Sequence, residues 1–326
     1  PEEVRLPATA GSGSLPLIAI LGPTASGKTV LGVKLARRFG GEVLACDSTQ
    51  VYRGFDIGTA KPTIEEREGV PHHMLDLVEP DFPFTAGEYR SRAVAILDSM
   101  RKRSRLPVLT VGTGLYLRAL LEGLADAPAR SEELRARLES SANRHTLHYL
   151  HRLLRRLDPE AAVRSGSRDS PKMIRAIEVC LLTGRPQSEL HQAGRTPLEG
   201  YHPIKIGLQP QRAALYDRIE RRVHTMIDRG WLEEVAGLIR RGVGPDTKPF
   251  DFIGYGELRA HLEGTITLAA ATKAISQATR RYAKRQITWF RKENQVHWLP
   301  GFGDDPAVIA AAEKLAAEQL QSRAVS

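Results

Sequence analysis

Cysteine is scarce in this chain, and its spacing excludes the common cysteine-based sites. The two cysteines among 326 residues, Cys46 and Cys180, lie far apart in sequence, and neither belongs to a CxxC or Cys/His pattern. Neither a zinc site nor a disulfide framework is therefore indicated. This cysteine usage fits a reducing compartment, and we expect a cytoplasmic protein.

The start of the chain lacks a long apolar run. Residues 1–16 carry Glu2 and Glu3 and contain no apolar core of the kind found in signal peptides or membrane spans. We expect these residues to form a flexible leader.

Acidic residues are outnumbered in this sequence. Lys and Arg total 47 against 38 Asp and Glu, which gives a formal net charge of +9. This balance favours an anionic partner larger than a nucleotide, such as a nucleic acid, although it also occurs in soluble proteins that have no such partner.

The most specific motif is a phosphate-binding loop that directly follows the apolar run 17–21. It consists of Gly22, Pro23, Thr24, Ala25, Ser26, Gly27, Lys28 and Thr29. The glycines allow backbone N–H groups to surround diphosphate oxygens, Lys28 supplies a positive charge, and the Thr29 hydroxyl is a ligand for Mg²⁺. We expect these residues to bind diphosphate, with Thr29 also at the metal.

Strands and helices alternate through the first part of the chain, which predicts an α/β fold. We expect a parallel sheet of the P-loop NTPase type, wrapped by helices, with an all-helical insertion. The pattern becomes continuously helical after residue 126, and an apolar run at 204–208 predicts a return to the sheet. The expected divisions are core residues 17–123, a helical insertion at 124–199, and core residues 200–326.

The strand predicted at 107–111 lacks the acidic residue with which nucleotide hydrolases hold Mg²⁺ and position water. It is followed by Gly112, Thr113 and Gly114, whereas the strand predicted at 42–46 is followed by Asp47. Ligands of open α/β sheets bind at the carboxyl ends of the strands, so Asp47 and Thr113 are expected to flank the phosphate loop. In the alternative interpretation, Asp47 caps the following turn and Thr113 bonds only to the backbone.

Five segments together resemble the tRNA dimethylallyltransferase (tRNA isopentenyltransferase) family, and the resemblance spans most of residues 17–299. They are GPTASGKT at 22–29, DSTQVYRGFDIGTAKP at 47–62, GTGLYLRAL at 112–120, IGY at 253–255 and RYAKRQITWF at 281–290. The resemblance implies transfer of a dimethylallyl group from dimethylallyl diphosphate to N6 of the adenosine just 3′ of the anticodon, with Mg²⁺. The phosphate loop would then hold a leaving diphosphate, so a hydrolytic acid is unnecessary.

The resemblance also implies catalytic roles. Asp47 would accept a proton from N6, and Thr113 would orient the base or bridge to the leaving oxygen. Lys28, Arg222 and a magnesium ion on Thr29 would stabilise the charge that develops on diphosphate.

A basic helix is the expected path of the RNA. Residues 272–292 contain seven basic residues and no acidic one, and we expect the aromatic residues Tyr282, Trp289 and Phe290 to belong to the core. By resemblance, the tRNA-binding residues are Asp47, Ser48, Thr49, Gln50, Thr113, Arg135, Pro171, Lys172, Met173, Ile174, Arg175, Phe252, Ile253, Gly254, Tyr255, Arg281, Lys284 and Arg285. Gly256 stands where the family often has Arg or Lys, which puts an RNA contact at that position in doubt.

Two other functions use the same loop. A small-molecule kinase would bind ATP there, but it gives no reason for the basic helix. A non-catalytic RNA-binding protein would use the loop as a nucleotide switch, which leaves Asp47 and Thr113 without a role. We expect a monomer, because the sequence has no heptad seam or self-complementary apolar stripe.

Overall fold

The computed structural model describes residues 14–125, 127–166, 169–192 and 194–322. One compact unit consists of the chain up to Leu121 and from Leu198 onward, and a second unit is Glu122–Pro197. Within the leader expected at 1–16, residues 1–13 lie outside the described residues, and Leu15 and Pro16 belong to the first strand. No described helix has the length and apolar character that a bilayer span requires.

The first unit is built on a parallel sheet of six strands. The strands are β1 Leu15–Leu21, β2 Gly41–Cys46, β3 His72–His73, β4 Leu106–Val111, β5 Tyr201–Leu208 and β6 Val296–Leu299. Their order across the sheet is β3-β2-β4-β1-β5-β6, and all neighbours are parallel. The fold class expected from the sequence, a parallel sheet wrapped by helices, is confirmed.

Thirteen α-helices accompany the sheet in the part of the chain that the structure describes. They are α1 Lys28–Arg38, α2 Ala86–Lys102, α3 Gly114–Glu122, α4 Glu132–His145, α5 Leu147–Leu157, α6 Pro159–Ser165, α7 Ser170–Thr183, α8 Gln187–Gln192, α9 Arg212–Asp228, α10 Trp231–Arg240, α11 Tyr255–Leu262, α12 Leu268–Phe290 and α13 Pro306–Gln321. Helices α4 to α8 lie in the second unit, and the side chains of Asp158 and Asp169 cap the starts of α6 and α7.

Alternation along β1 explains why helices cover both faces of the sheet. Leu17 and Leu21 pack with buried residues of α2, whereas Ile18 and Ile20 pack with buried residues of α1 and α13. Successive side chains of a strand point to opposite faces of the sheet. An entirely apolar strand is therefore shielded from water only when helices pack on both faces.

The strand order positions the candidate site. Strand β4 lies between β1 and β2, and all three run in the same direction. The phosphate loop after β1, Asp47 after β2 and Gly112 after β4 therefore lie at one edge of the sheet, as the sequence predicts.

Candidate active site

The phosphate loop is braced by the segment before α13. The backbone N–H of Gly303 donates to the carbonyl oxygen of Ser26 at 2.8 Å. Gly27 has a φ of 88°, and a β-carbon there would lie 2.8 Å from the backbone nitrogen of Gly303. Glycine is therefore required at this position both by the backbone conformation and by the close approach of a second segment.

Lys28 lies folded over its own loop. Its Nζ donates to the carbonyl oxygens of Gly22 at 2.9 Å and Pro23 at 2.8 Å. The pKa of Lys28 is lowered to about 7, mainly because the amine is buried. The charge of Asp47 raises this pKa, whereas the charge of Arg222 lowers it. An anion bound at the loop would favour the protonated form of Lys28.

The two carboxylate oxygens of Asp47 have different environments. Oδ1 accepts hydrogen bonds from the backbone N–H of Thr49 at 2.8 Å and from its hydroxyl at 2.7 Å. Oδ2 lies against Gly112, where a β-carbon would be 2.0 Å away, and no described residue donates a hydrogen bond to it. Asp47 therefore caps the turn through Oδ1, as the alternative interpretation proposed, and its Oδ2 has no hydrogen-bond donor among the described residues.

Thr113 connects the ends of β2 and β4. Its Oγ1 accepts from the backbone N–H of Ser48 at 3.0 Å and donates to the Ser48 hydroxyl at 3.1 Å. Gln50, on the wall of the cavity, donates through Nε2 to the carbonyl oxygens of Thr59 and Ala60. Hydrogen bonds between Thr113 and Ser48 and from Gln50 to the carbonyls of Thr59 and Ala60 therefore fix the segment that follows β2.

Helix α9 presents arginines to the same cavity. Arg218 forms two hydrogen bonds with Asp304, at 2.7 and 2.8 Å. Arg222, one turn later, has no acidic partner among the described residues, and burial together with the charge of Arg218 lowers its pKa. An unpaired, partly buried guanidinium is suited to bind an anion.

These groups line one cavity of about 570 Å³. Its wall includes Thr24 to Thr29 of the loop, Asp47, Gln50 and Arg222, with apolar surface from Ile57 and Met226. Gly22, Pro23, Ser48, Thr49 and Thr113 are close in sequence to lining residues but do not themselves belong to the lining. The structure thus brings most of the predicted diphosphate residues and Asp47 together.

A divalent cation could be held at this site only if a bound diphosphate supplied some of its ligands. The Thr29 hydroxyl has no hydrogen-bond partner among the described residues, so it is free to be a ligand. The same residues contain no group of three His, Cys, Asp or Glu side chains able to hold a metal. Hard cations such as Mg²⁺ accept phosphate oxygens and water as their remaining ligands.

Helix α12 carries the predicted basic surface. Arg281, Lys284 and Arg285 are exposed, and no acidic residue within the described ranges pairs with them. Phe290 is buried, as expected, but Trp289 is 37% exposed, so its assignment to the core was wrong. The cause is its position at the end of α12, where the ring lies against Gly114 and under the guanidinium of Arg118 at 4.9 Å.

The segment 252–255 packs inward with its aromatic residues. Phe252 contacts the ring of Tyr52, with centroids 5.6 Å apart, and Tyr255 is fully buried with its hydroxyl donating to Glu234 at 2.7 Å. The Tyr255 side chain is therefore held in the core. An RNA contact by backbone groups of residues 252–255 stays a prediction.

In the second unit, two predicted RNA-binding arginines are bound to one buried acid. Arg135 and Arg175 both pair with Glu178, at 3.0 and 2.6 Å. Burial opposes ionisation of Glu178, but the hydrogen bonds from the two arginines lower its pKa overall. Glu178 also accepts a hydrogen bond from the backbone N–H of Ser131. In this structure the two arginines therefore neutralise and stabilise a buried carboxylate of the unit.

Helix α7 divides its predicted contact residues between core and surface. Met173 and Ile174 are 0% and 3% exposed, so their side chains belong to the core of this unit, and an RNA contact at these positions stays a prediction that the side chains do not support. The reason is that they share the helix face that packs on Leu150 and Leu154. Pro171 and Lys172 are exposed at the start of the helix.

Sequence reasoning missed two residues of α12 at the cavity. Gln286 and Tyr282 both line it and both bind the carbonyl oxygen of Gly112. The sequence feature that could have indicated Gln286 is its place one turn before Phe290, because this puts a polar side chain on the buried face of the helix.

Known proteins resemble this chain in sequence and structure. A model of the family described as IPP transferase matches residues 50–293. The tRNA dimethylallyltransferase of Koribacter versatilis is 50% identical over 299 residues, which are 92% of this chain and 97% of that protein. The tRNA isopentenylpyrophosphate transferase of Bacillus halodurans is 39% identical with a TM-score of 0.69, covering 95% of this chain and 98% of that one.

A third resemblance is to a eukaryotic dimethylallyltransferase whose crystal structures capture it acting on tRNA. It is 26% identical with a TM-score of 0.81, covering 95% of this chain and 80% of that one. The family match spans more than half of this chain, and the match to the Koribacter protein spans nearly all of both. This chain therefore belongs to the IPP transferase family, the tRNA dimethylallyltransferases.

Proposed function

We propose that this protein transfers the dimethylallyl group of dimethylallyl diphosphate to N6 of the adenosine just 3′ of the anticodon in tRNA and releases diphosphate. The observation that supports this most strongly is that the phosphate loop and Asp47 line one cavity. A diphosphate on the loop would lie beside a carboxylate able to accept the proton of the attacking nitrogen. The absence of an acidic residue directly after β4 favours group transfer over hydrolysis.

On the leaving-group side, Lys28 and Arg222 stabilise the diphosphate. As the bond between C1 and oxygen breaks, negative charge accumulates on the diphosphate, so fixed cations bind the transition state more tightly than the ground state. Lys28 exchanges its two loop carbonyls for phosphate oxygens. Arg222 breaks no ion pair with an acid of the described residues when it binds the diphosphate. The Thr24 hydroxyl donates to the same phosphates.

On the nucleophile side, Asp47 acts on adenine. The N6 lone pair is delocalised into the ring, and attack on C1 builds positive charge on nitrogen. The free Oδ2 accepts a hydrogen bond from N6 and takes its proton as the new N–C bond forms. Thr113 Oγ1 has one lone pair beyond its bonds to Ser48, which can accept the second N6 hydrogen and orient the base.

We assign the metal as Mg²⁺. Thr29 and the diphosphate oxygens would hold it, and the bound ion would neutralise charge on the leaving group.

Exposed cations support the proposed RNA path. Arg281, Lys284 and Arg285 on α12 would contact the phosphates of the anticodon stem-loop, as would Lys172 at the start of α7. The target base must leave its stack to reach a cavity at the sheet edge. We further propose a monomeric, cytoplasmic enzyme, and light scattering of the purified protein checks the monomer.

One assay tests the function. Purified protein is incubated with Mg²⁺, an unmodified anticodon stem-loop and dimethylallyl diphosphate labelled in the prenyl group. We expect label in the RNA, and no phosphoryl transfer or hydrolysis when ATP replaces the donor. Consumption of ATP with no label in RNA would instead support the kinase or switch function.

A further inference from the structure

The side-chain amide of Gln286 joins two backbone groups that belong to opposite halves of the candidate site. Gln286 lies on α12 and is 6% exposed. Its Oε1 accepts a hydrogen bond from the backbone N–H of Thr24 at 2.7 Å, and its Nε2 donates to the carbonyl oxygen of Gly112 at 2.8 Å.

The two partners require the chemistry of an amide. A backbone N–H can only donate and a backbone carbonyl can only accept, so the side chain must offer one acceptor and one donor at its end. These partners also fix which end of the amide is oxygen. A carboxylate offers two acceptors and would meet the Gly112 carbonyl with repulsion, whereas a protonated carboxyl group again offers one donor.

The two ends of the amide reach the two reacting halves of the site. Thr24 belongs to the phosphate loop, whereas Gly112 lies against Asp47 Oδ2 and directly precedes Thr113. Tyr282, one turn earlier on α12, donates its hydroxyl to the same Gly112 carbonyl at 3.2 Å. Helix α12 thus bonds both to the phosphate loop and to the glycine that lies against the carboxylate.

We propose that Gln286 is a positioning residue for prenyl transfer, holding the phosphate loop and the Gly112 carbonyl at a fixed separation so that C1 of the donor and N6 of adenine stay aligned. This inference rests on the proposed function. A misplacement of about 1 Å between reacting groups can lower turnover about a hundredfold. Gln286 acts through Thr24 and Gly112, so its loss lowers kcat and leaves the KM for RNA nearly unchanged.

The variant Gln286→Glu tests this role because its effect depends on protonation. We expect kcat to fall about 10- to 100-fold at neutral pH, with the KM for RNA changed less than about twofold. The ratio of variant to wild-type kcat should rise as the pH is lowered, because a protonated Glu restores the donor to Gly112. Gln277→Glu, an exposed position on the same helix, is the matched control and should keep kcat and show no such pH dependence.

A wild-type kcat in Gln286→Glu, or a reduced kcat whose ratio stays constant with pH, would overturn the proposal. A second measurement needs no variant: hydrogen exchange of the Thr24 amide in wild-type protein. We expect protection before and after inorganic diphosphate is added, and protection that appears only with diphosphate would show that Gln286 does not hold this amide. If wild-type protein fails to prenylate RNA, the proposed function fails, whereas the exchange result still reports on the Gln286 contact.

Discussion

Asp47 Oδ2 lies so close to Gly112 that a β-carbon on the glycine would be 2.0 Å from this oxygen. That distance is well inside the ~3.5 Å at which heavy atoms make favourable contact, so no other residue fits at position 112 unless the carboxylate moves. The end of β4 therefore determines where the proposed proton acceptor at the end of β2 can lie.

Gly112→Ala should displace the Asp47 carboxylate and lower kcat about 10- to 100-fold, with little change in donor affinity. Gly237→Ala is the control, because a β-carbon there would have its nearest neighbour 3.9 Å away, at the end of the Arg240 side chain. Steady-state kinetics measure both variants. Full activity in Gly112→Ala would contradict the assignment of Asp47 Oδ2 to the reacting nitrogen.

Asp47→Asn separates the two functions of this side chain. An amide oxygen can still accept the hydrogen bonds from Thr49, but the amide cannot take a proton at neutral pH. We expect kcat to fall about a hundredfold or more, ~2.7 kcal/mol in the barrier, while RNA affinity stays nearly constant. Asp47→Ala also removes the hydrogen bonds that cap the turn, so its melting temperature should be lower than that of Asp47→Asn. A large loss of RNA affinity with normal turnover would disprove the catalytic role.

Diphosphate binding should be coupled to proton uptake by Lys28. The pKa of this buried amine is about 7 in the free protein, and a bound anion raises it. At about pH 8, most free protein then has a neutral Lys28 that must gain a proton on binding, so affinity falls as the pH rises above 7.

Calorimetry in buffers of different ionisation enthalpy measures this uptake. Lys28→Met, which removes the titrating group, provides the baseline for protonation of diphosphate itself. Wild-type protein should take up nearly one additional proton, and equal uptake by both proteins would rule out Lys28 as the acceptor.

Replacing Lys284 and Arg285 together by Ala should weaken RNA binding and flatten its salt dependence. The slope of log K against log salt falls by about 0.7–0.9 for each RNA phosphate that the protein no longer neutralises. Lys314→Ala, on the exposed face of α13, is the control. An unchanged slope in the double variant would remove α12 from the RNA path.

The fold could be predicted from local sequence because its signals are local. The apolar run of β1, the glycines after it and the helix that begins at Lys28 are contiguous. The position of Asp47 followed from one further rule, that parallel strands end at the same edge of a sheet.

The contacts of the site could not be predicted, because they depend on packing between distant segments. Gln286 meets Thr24 across 262 residues of sequence, and α12 was therefore interpreted only as a basic helix. Ile174 was predicted from the resemblance to contact tRNA, yet its side chain lies in a core. A motif preserves residue types, whereas burial depends on which neighbours the helix faces.

Identification of the modified nucleoside tests the central claim most directly. After reaction with dimethylallyl diphosphate, the stem-loop is digested and its nucleosides are analysed by mass spectrometry while released diphosphate is quantified. The expected result is one N6-dimethylallyladenosine, at the position 3′ of the anticodon, for each diphosphate released. Diphosphate released without a prenylated adenosine, or a prenyl group on another atom, would contradict a site in which Asp47 directs N6 to the donor carbon.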